Sequence, residues 1–396
     1  MSPPRVLVLN HNLPERGTWF RALRTAEAFA ARGARVTMVC TGPGRWRLRA
    51  GWRGNVQMLQ APHWSPVYGP DSGWSPLGAA ARLGLSLRGW DAVMSFSHKP
   101  VDQLPARLSR SLCGARWACD WCDLWGEDGL NALQRAQRGP AASLHDRASD
   151  ACDSIDARLE QAAARDCDVL TVISTDLARR AAALGRDERR ALLYPSGADL
   201  DGIRPLDRAR CRRALGLEEG RFLVGYVSSW HPDEGLLLRA LSRACAQAPA
   251  LQLLAAGAPV AASDAELRAL GLRGRVTHLG RLPYRRLSMM LGACDAAVLP
   301  LEDTAFNRSR WPNKICDYLA AGRAIVAGEV GDVARLMAEG VGWGASPNAE
   351  ALAAALLEAA SNPAEAHRRG AAARAHAQEH RRWERLAQPV WDRLLG

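Results

Sequence analysis

Chemistry-bearing residues cluster most tightly around Lys314 and Asp317, three positions apart in Pro312-Asn313-Lys314-Ile315-Cys316-Asp317-Tyr318. On a helix such a pair shares one face. A carboxylate near a helix start can accept hydrogen bonds from two ribose hydroxyls of a nucleotide, and the lysine can oppose a diphosphate. Of the 52 basic residues only Lys99 and Lys314 are lysine. A lysine retained among so many arginines points to a site that wants a compact point charge rather than a planar fork. The alternative is that Lys314 is simply one of two lysines. A second group is Asp120-Trp121-Cys122-Asp123-Leu124-Trp125-Gly126. Here Asp123 can position a hydroxyl or act as its base, or be an ordinary loop acid near a helix start. His11 and Asn12 follow the first apolar run, at the strand end where open sheets bind ligands. His98 also follows a strand and reads as a solvated loop histidine. Cys119 and Cys122 form a C-x2-C with no second pair to complete a zinc site, and read as structural thiols. Around Gly17 there is no G-x-G-x-x-G, and the chain has neither a P-loop nor a G-x-S-x-G.

The composition narrows the function classes. The 396 residues, 48% hydrophobic and 23% charged, suit two globular domains with sizeable cores. No apolar run reaches the ~18 residues of a transmembrane helix, and the opening Met1 to Asn12 lacks the pattern of a secretory signal. Ten irregularly spaced cysteines fit a reducing cytosol. The formal net charge is +11. Residues 1–119 hold 16 basic and 5 acidic residues, 120–200 hold 10 and 15, and 201–396 hold 26 and 21. The excess therefore equals what the first 119 residues carry, and predicts a one-sided attraction to anionic surfaces or substrates. Arginine-richness with abundant alanine is a genome-wide bias, so nucleic acid is not the expected partner. Within the basic stretch, Arg45-Trp46-Arg47-Leu48-Arg49-Ala50-Gly51-Trp52-Arg53 interleaves aromatic and basic residues. That pattern suits an anionic bilayer surface or, on the other reading, a surface loop coloured by the arginine bias.

Strand and helix signals alternate. Arg5 to Leu9 reads as a strand buried on both faces, then a polar loop containing Gly17, Thr18 as N-cap, a helix through Phe29 and Ala30 closed by Gly33, and a strand from Arg35 to Cys40. This is a βαβ unit. Asp91 to Ser95 and Asp168 to Ile173 read as later strands of the same sheet. After Pro195-Ser196-Gly197-Ala198-Asp199 the pattern restarts, with strands at Phe222 to Val227, Leu251 to Ala256, Val276 to Leu279, Ala296 to Leu299 and Ala324 to Ala327. The expected architecture is α/β, with two facing, doubly wound Rossmann-like domains, 1–200 and 201–396. Residues 362–396 read as helical, with Trp383 and Trp391 as packing anchors and the last helix packing back on the first domain.

The chain resembles retaining glycosyltransferases of family 4, with the GT-B fold, along nearly its full length. Pro312 to Val326 resembles the donor-binding helix "K..EYmAaGkPvV", Pro195 to Asp199 the Pro-Asn-Gly-Val-Asp junction, Leu279 to Pro283 the "flG.vp" segment, and Gly17 with Ala30 to Thr37 the glycine loop, helix and second strand. The resemblance implies a domain 1–200 on the acceptor side and a domain 201–396 that binds a nucleotide-diphosphate sugar. It also implies hexosyl transfer with retention, no cofactor and no metal. On the donor side it assigns Gly17, Ser229, Gly280, Arg281, Leu282, Asn307, Arg310 and Asp317, and for catalysis Lys314, Arg308 and Asp123. A bacterial, cytoplasmic protein at the inner face of the membrane is expected, with membrane contact through its basic half.

Three departures accompany the resemblance. Ser309 stands where the family has the first Glu of Glu-x7-Glu, and Asp317 replaces the second. Ser229 and Glu234 stand where the family has Arg and Lys on the diphosphate. The loop before the helix resembles a variant with "N.aR.p.K", which implies that Asn307, Arg308 and Arg310 supply the contacts instead. The alternatives these departures raise are a non-catalytic protein that binds a nucleotide sugar, and a sugar-nucleotide epimerase.

Overall fold

The computed structural model describes residues 2–44, 46–65, 68–126, 128–138, 143–187, 191–228, 232–258 and 262–396. The chain forms two compact units, one ending at Pro195 and completed by Trp383–Gly396, the other Ser196–Arg382.

The first unit is built on an eight-stranded sheet of described residues: β1 (Arg5–Asn10), β2 (Arg35–Thr41), β3 (Arg49–Arg53), β4 (Val56–Ala61), β5 (Ala92–Phe96), β6 (Arg116–Trp121), β7 (Val169–Val172) and β8 (Ala191–Leu193). The order is β3-β4-β2-β1-β5-β6-β7-β8. All neighbours are parallel except β3, which runs antiparallel to β4 at the edge. Val6 sits opposite Val36 and Ala92, so β1 is central, and every residue after Arg5 is buried. A continuous apolar run is what a strand covered on both faces requires. The helix Trp19–Ala31 buries Ala22, Leu23, Ala26 and Phe29 against this sheet. Gly33, at φ +92°, supplies the left-handed residue that ends it. Thr18 stands at its N-cap without a side-chain cap; its hydroxyl bonds Asn10 and Asn12 instead. The closing helix Trp383–Leu395 belongs to this unit and buries Trp383, Ala387, Val390 and Leu394. Trp391 meets the ring of Phe29 at 5.6 Å.

One buried ion pair ties these layers together. Arg21, on the first helix, forks onto Asp120 of β6 at 2.7 and 2.8 Å. It also donates to the Tyr194 carbonyl and stacks over the Tyr194 ring. Thr171 of β7 gives Asp120 a further hydrogen bond at 2.6 Å.

The Arg49–Arg53 stretch, expected as a surface segment, is the edge strand β3, exposed at every residue. Trp46 and Trp52 are 72% and 71% exposed. The interleaved composition does not alternate buried with solvated positions, because both faces of this strand are exposed.

The second unit is a six-stranded parallel sheet of described residues, ordered β11-β10-β9-β12-β13-β14: β9 (Phe222–Ser228), β10 (Leu251–Gly257), β11 (Val276–His278), β12 (Ala296–Leu299), β13 (Ala324–Gly328) and β14 (Gly342–Ala345). At the carboxyl end, Gly257 takes φ +114°, and a Cβ there would lie 1.7 Å from the Ser228 carbonyl oxygen. The ends of β9 and β10 can close on each other only because residue 257 is glycine.

Removing one partner of a buried ion pair leaves an uncompensated charge and costs ~3–5 kcal/mol. Asp120→Ala is therefore expected to lower stability by about 3 kcal/mol in urea unfolding, whereas Glu219→Ala, which breaks an exposed pair with Arg213, is expected to cost less than about 1 kcal/mol.

Candidate functional site

In the second unit the helix Asn313–Ala320 starts behind Pro312 and buries Ile315, Cys316, Tyr318, Leu319 and Ala320. Three bonds fix its rotation. The Tyr318 hydroxyl accepts the Val227 N–H at 3.0 Å. The Cys316 thiol donates to the Ser196 carbonyl at 3.1 Å. The Ser196 hydroxyl donates to Asn313 Oδ1 at 2.5 Å. With that face locked, Lys314 and Asp317 share the other. Lys314 turns its ammonium inward, 5.1 Å from the centre of the Tyr226 ring, where Nζ is covered and has no hydrogen-bond partner among the described residues. Burial, reinforced by the Arg310 charge, pushes its pKa down to about 7. Asp317 accepts the Tyr284 hydroxyl at 3.2 Å. Burial, with repulsion from Asp199, pushes its pKa up to about 7.

The segment before this helix brings in the variant loop. Thr304 caps the short helix Ala305–Ser309. The Asn307 side-chain amide donates to the Glu302 carbonyl at 2.8 Å and to both oxygens of Asp233 at 3.1 Å. Arg310 lies 3.6 Å from Asp233 and stacks over Phe306. Arg308 lies elsewhere: half-exposed, it pairs with Asp303 at 2.6 Å. Of the two arginines expected to serve the donor, Arg310 is the one whose charge acts on Lys314. Ser309 is fully buried and bonds the Phe306 carbonyl. Ser229 lies outside the described residues. Glu234 opens the helix Glu234–Gln247, and its charge reaches Lys314. Gly280, at φ +69°, bonds His278 Nδ1 at 3.1 Å and Gly257 through its carbonyl at 2.9 Å. Its neighbours Arg281, exposed, and Leu282, half-buried, lead into the helix that carries Tyr284 and so stand near Asp317.

In the first unit, Gly17 takes φ +49°, and a Cβ there would lie 2.8 Å from the Asn12 amide. That close approach lets Asn12 Oδ1 receive both the N–H and the hydroxyl of Thr18. Asp123 is half-buried in the loop after β6. This loop is anchored by Glu160, which accepts from Trp121 Nε1 at 2.7 Å, Trp125 N at 2.9 Å and Gly126 N at 3.0 Å. Burial pushes the pKa of Glu160 up to about 7. His98 corrects the expectation of a solvated loop residue: it is buried, 5.5 Å from the Trp125 ring, and its Nε2 has no partner among the described residues. Burial and the neighbouring Lys99 hold it neutral. Lys99 pairs with Asp156 and His11 with Asp102 at 3.1 Å. Glu160 and Asp156 sit in the 23-residue helix Leu144–Asp166, whose polar pattern carries no local sign that two of its acids face inward. Among the described residues no group of three or more His, Cys, Asp or Glu side chains is placed to hold a metal ion.

Residues 16–197 match the family model for the glycosyl transferase 4-like domain, and residues 221–362 match that for glycosyl transferases group 1. The chain belongs to the group 1 glycosyltransferases. It is 30% identical over 190 residues to the D-inositol 3-phosphate glycosyltransferase of Mycobacterium bovis, a match that covers 46% of this chain and 38% of that protein. Its fold is that of GT-B enzymes. The sucrose-phosphate synthase of Thermosynechococcus elongatus superposes with a TM-score of 0.73 at 20% identity, over 98% of each chain. Anabaena HepE, solved with UDP and glucose, gives 0.70 at 15% identity over 99% of each.

The sign of the Lys314 shift makes a stability prediction for this glycosyltransferase. A lysine whose pKa falls from 10.5 to about 7 on folding destabilises the fold fully below pH 7, progressively less between 7 and 10.5, and not at all above. Lys314→Met is expected to raise the melting temperature by a few degrees at pH 6. The gain should shrink as the pH is taken to 10, which calorimetry across that range checks.

Proposed function

We propose that this protein moves a hexosyl group from a nucleoside-diphosphate sugar to an acceptor hydroxyl, with retention of anomeric configuration and without a metal. The observation that carries the reading is the Lys314 ammonium, buried without a hydrogen-bond partner among the described residues, under the charge of Arg310 and on the same helix face as Asp317. A fixed, desolvated cation is what a diphosphate leaving group needs as its charge develops. Asp317, already accepting one hydroxyl from Tyr284, is suited to accept ribose hydroxyls in the same way. Gly280 to Leu282 offer backbone groups to the base, and the loop at Gly17 offers helix N-terminal amides to an anion. A diphosphate leaving group needs no protein nucleophile when the acceptor attacks from the same face, so the serine at 309 is compatible with turnover. On the acceptor side, Asp123 and the neutral His98 are the groups that can take a hydrogen bond or proton from a hydroxyl.

The acceptor in this reading is anionic. Two of the three named proteins carry a phosphate in their names, and the charge excess of this chain lies in its first 119 residues. No helix of the described residues is long and apolar enough to cross a membrane. The proposed membrane contact is peripheral, through Trp46, Arg47, Leu48, Arg49 and Trp52 on and before β3. A cleft of about 410 Å³, lined by Trp19, Arg49, Trp52 and Arg53 among others, adjoins that strand. The location that follows is the cytoplasmic face of a bacterial membrane. The acids at 233 and 234 favour one competing reading, a protein that binds nucleotide sugars without transfer.

A thermal-shift panel of UDP-, GDP-, ADP- and dTDP-sugars is expected to single out one base, with donor hydrolysis or transfer retained in EDTA. Lys314→Ala and Asp317→Ala should lose the shift and at least tenfold in turnover; His98→Ala should lose turnover while keeping the shift. Variants that bind and turn over donor like the wild type would refute the site, and a shift without turnover in any acceptor mixture would leave the binding protein. In sedimentation with vesicles containing anionic phospholipid, the wild type is expected to bind in a salt-sensitive manner, and a Trp46→Ser/Trp52→Ser variant to stay in the supernatant.

A further inference from the structure

We infer that Asp233 sets how tightly this protein holds a nucleoside diphosphate, by competing with the ligand's phosphates for Arg310. The inference rests on the diphosphate reading of the Lys314 site.

Asp233 occupies the N-cap of the helix Glu234–Gln247, where an aspartate ordinarily turns its carboxylate onto the helix amides. It makes no such cap here. Its oxygens face the 302–310 segment, held by the Asn307 amide at 3.1 Å and facing Arg310 at 3.6 Å. The carboxylate is buried at 2% exposure, and Arg310 is nearly so. A separation of 3.6 Å is an ion pair but longer than a hydrogen bond. At that separation Asp233 attracts Arg310, while Asn307, a neutral donor anchored on the Glu302 carbonyl, keeps the carboxylate in place.

The charges that act on Lys314 are those of Arg310, Glu234, Asp233 and Asp317. With Lys314 itself that makes two cations and three acids, a poor host for an incoming polyanion. Burial raises Asp233 as well, to about 6, so near neutral pH it remains mostly charged and continues to occupy Arg310. A diphosphate entering beside Lys314 must draw Arg310 away from Asp233, and when the product leaves, Asp233 takes the arginine back. The carboxylate thus weakens binding and speeds release, which matters because product release limits many transferases that enclose their donor.

The test is the dissociation constant of UDP, GDP, ADP and dTDP, by calorimetry, for the wild type, Asp233→Asn, Asp233→Ser, Arg310→Gln, Asp233→Asn/Arg310→Gln and Lys314→Ala. Asp233→Asn and Asp233→Ser are expected to tighten the preferred diphosphate by about tenfold with slower dissociation. In the Arg310→Gln background Asp233→Asn should change affinity by less than about threefold. This coupling separates competition for Arg310 from a merely structural role. Unchanged or weaker binding by both folded Asp233 variants overturns the inference, as does tightening that persists without Arg310. If Lys314→Ala loses binding while the Asp233 variants match the wild type, the inference alone falls. If Lys314→Ala binds like the wild type, the diphosphate reading falls with it. Absence of binding by the wild type and by both Asp233 variants overturns both.

Discussion

An ammonium covered by protein without a hydrogen bond is a liability that folding alone has no reason to keep. Among the described residues Lys314 is such a group, and its surroundings hold it there. Tyr226 supplies a ring face, worth most when the cation is desolvated. The acids at 233, 234 and 317 supply compensating field without direct contact. Locking the helix through Tyr318, Cys316 and Asn313 denies the side chain an outward rotation by turning the whole helix. The result is an amine stripped of its hydration in advance, with a pKa of about 7, so that an anion arriving beside it favours its charged form and meets that charge without intervening water.

The same economy of charge runs through the first unit, with the opposite outcome. Arg21 and Lys99 are buried, but each has its own acid, Asp120 and Asp156. Glu160 is buried too, yet its oxygens are filled by three N–H groups. These groups pair with one another or with backbone and indole N–H groups inside the unit, and they place the loop that carries Asp123 and the strand end that carries His98. Among the described residues in this neighbourhood the buried His98 Nε2 has no hydrogen-bond partner.

Much of this was legible in the sequence because it is local. The 314/317 spacing, the uninterrupted apolar strands and the glycines at 17 and 33 are each decided within a few residues. What was illegible is long-range. Asp233 and Asn307 are 74 positions apart, Arg21 and Asp120 are 99, and no periodicity shows that they meet. The edge strand β3 escaped for a different reason. A strand exposed on both faces leaves no alternation to read, so Arg49 to Arg53 looked like loop. His98 departs from the usual solvated polar residue after a strand because distant segments close over it, among them Trp121, Trp125 and Glu160.

The charge excess also looks different once burial is known. Of the five acids in the first 119 residues, Asp102 is fully buried and bound to His11 and Ser97, and contributes little to the field outside. In the next segment Asp120, Asp156 and Glu160 are likewise inside. Counting formal charge therefore overstates the acid that solvent feels in this unit. Two of its cations are removed with those acids, Arg21 and Lys99, and Arg82 is buried as well; the exposed remainder includes Arg47, Arg49 and Arg53 beside two bare tryptophans. A surface of that kind attracts an anion from a distance and offers it apolar contact on arrival. Around Lys314 the charges are arranged differently: a buried cation stands among Asp233, Glu234 and Asp317, so a diphosphate bound there as proposed would have to enter past acids. In that reading the two units handle negative charge in opposite ways, one by open attraction and the other by a cation kept dry and partly counterbalanced.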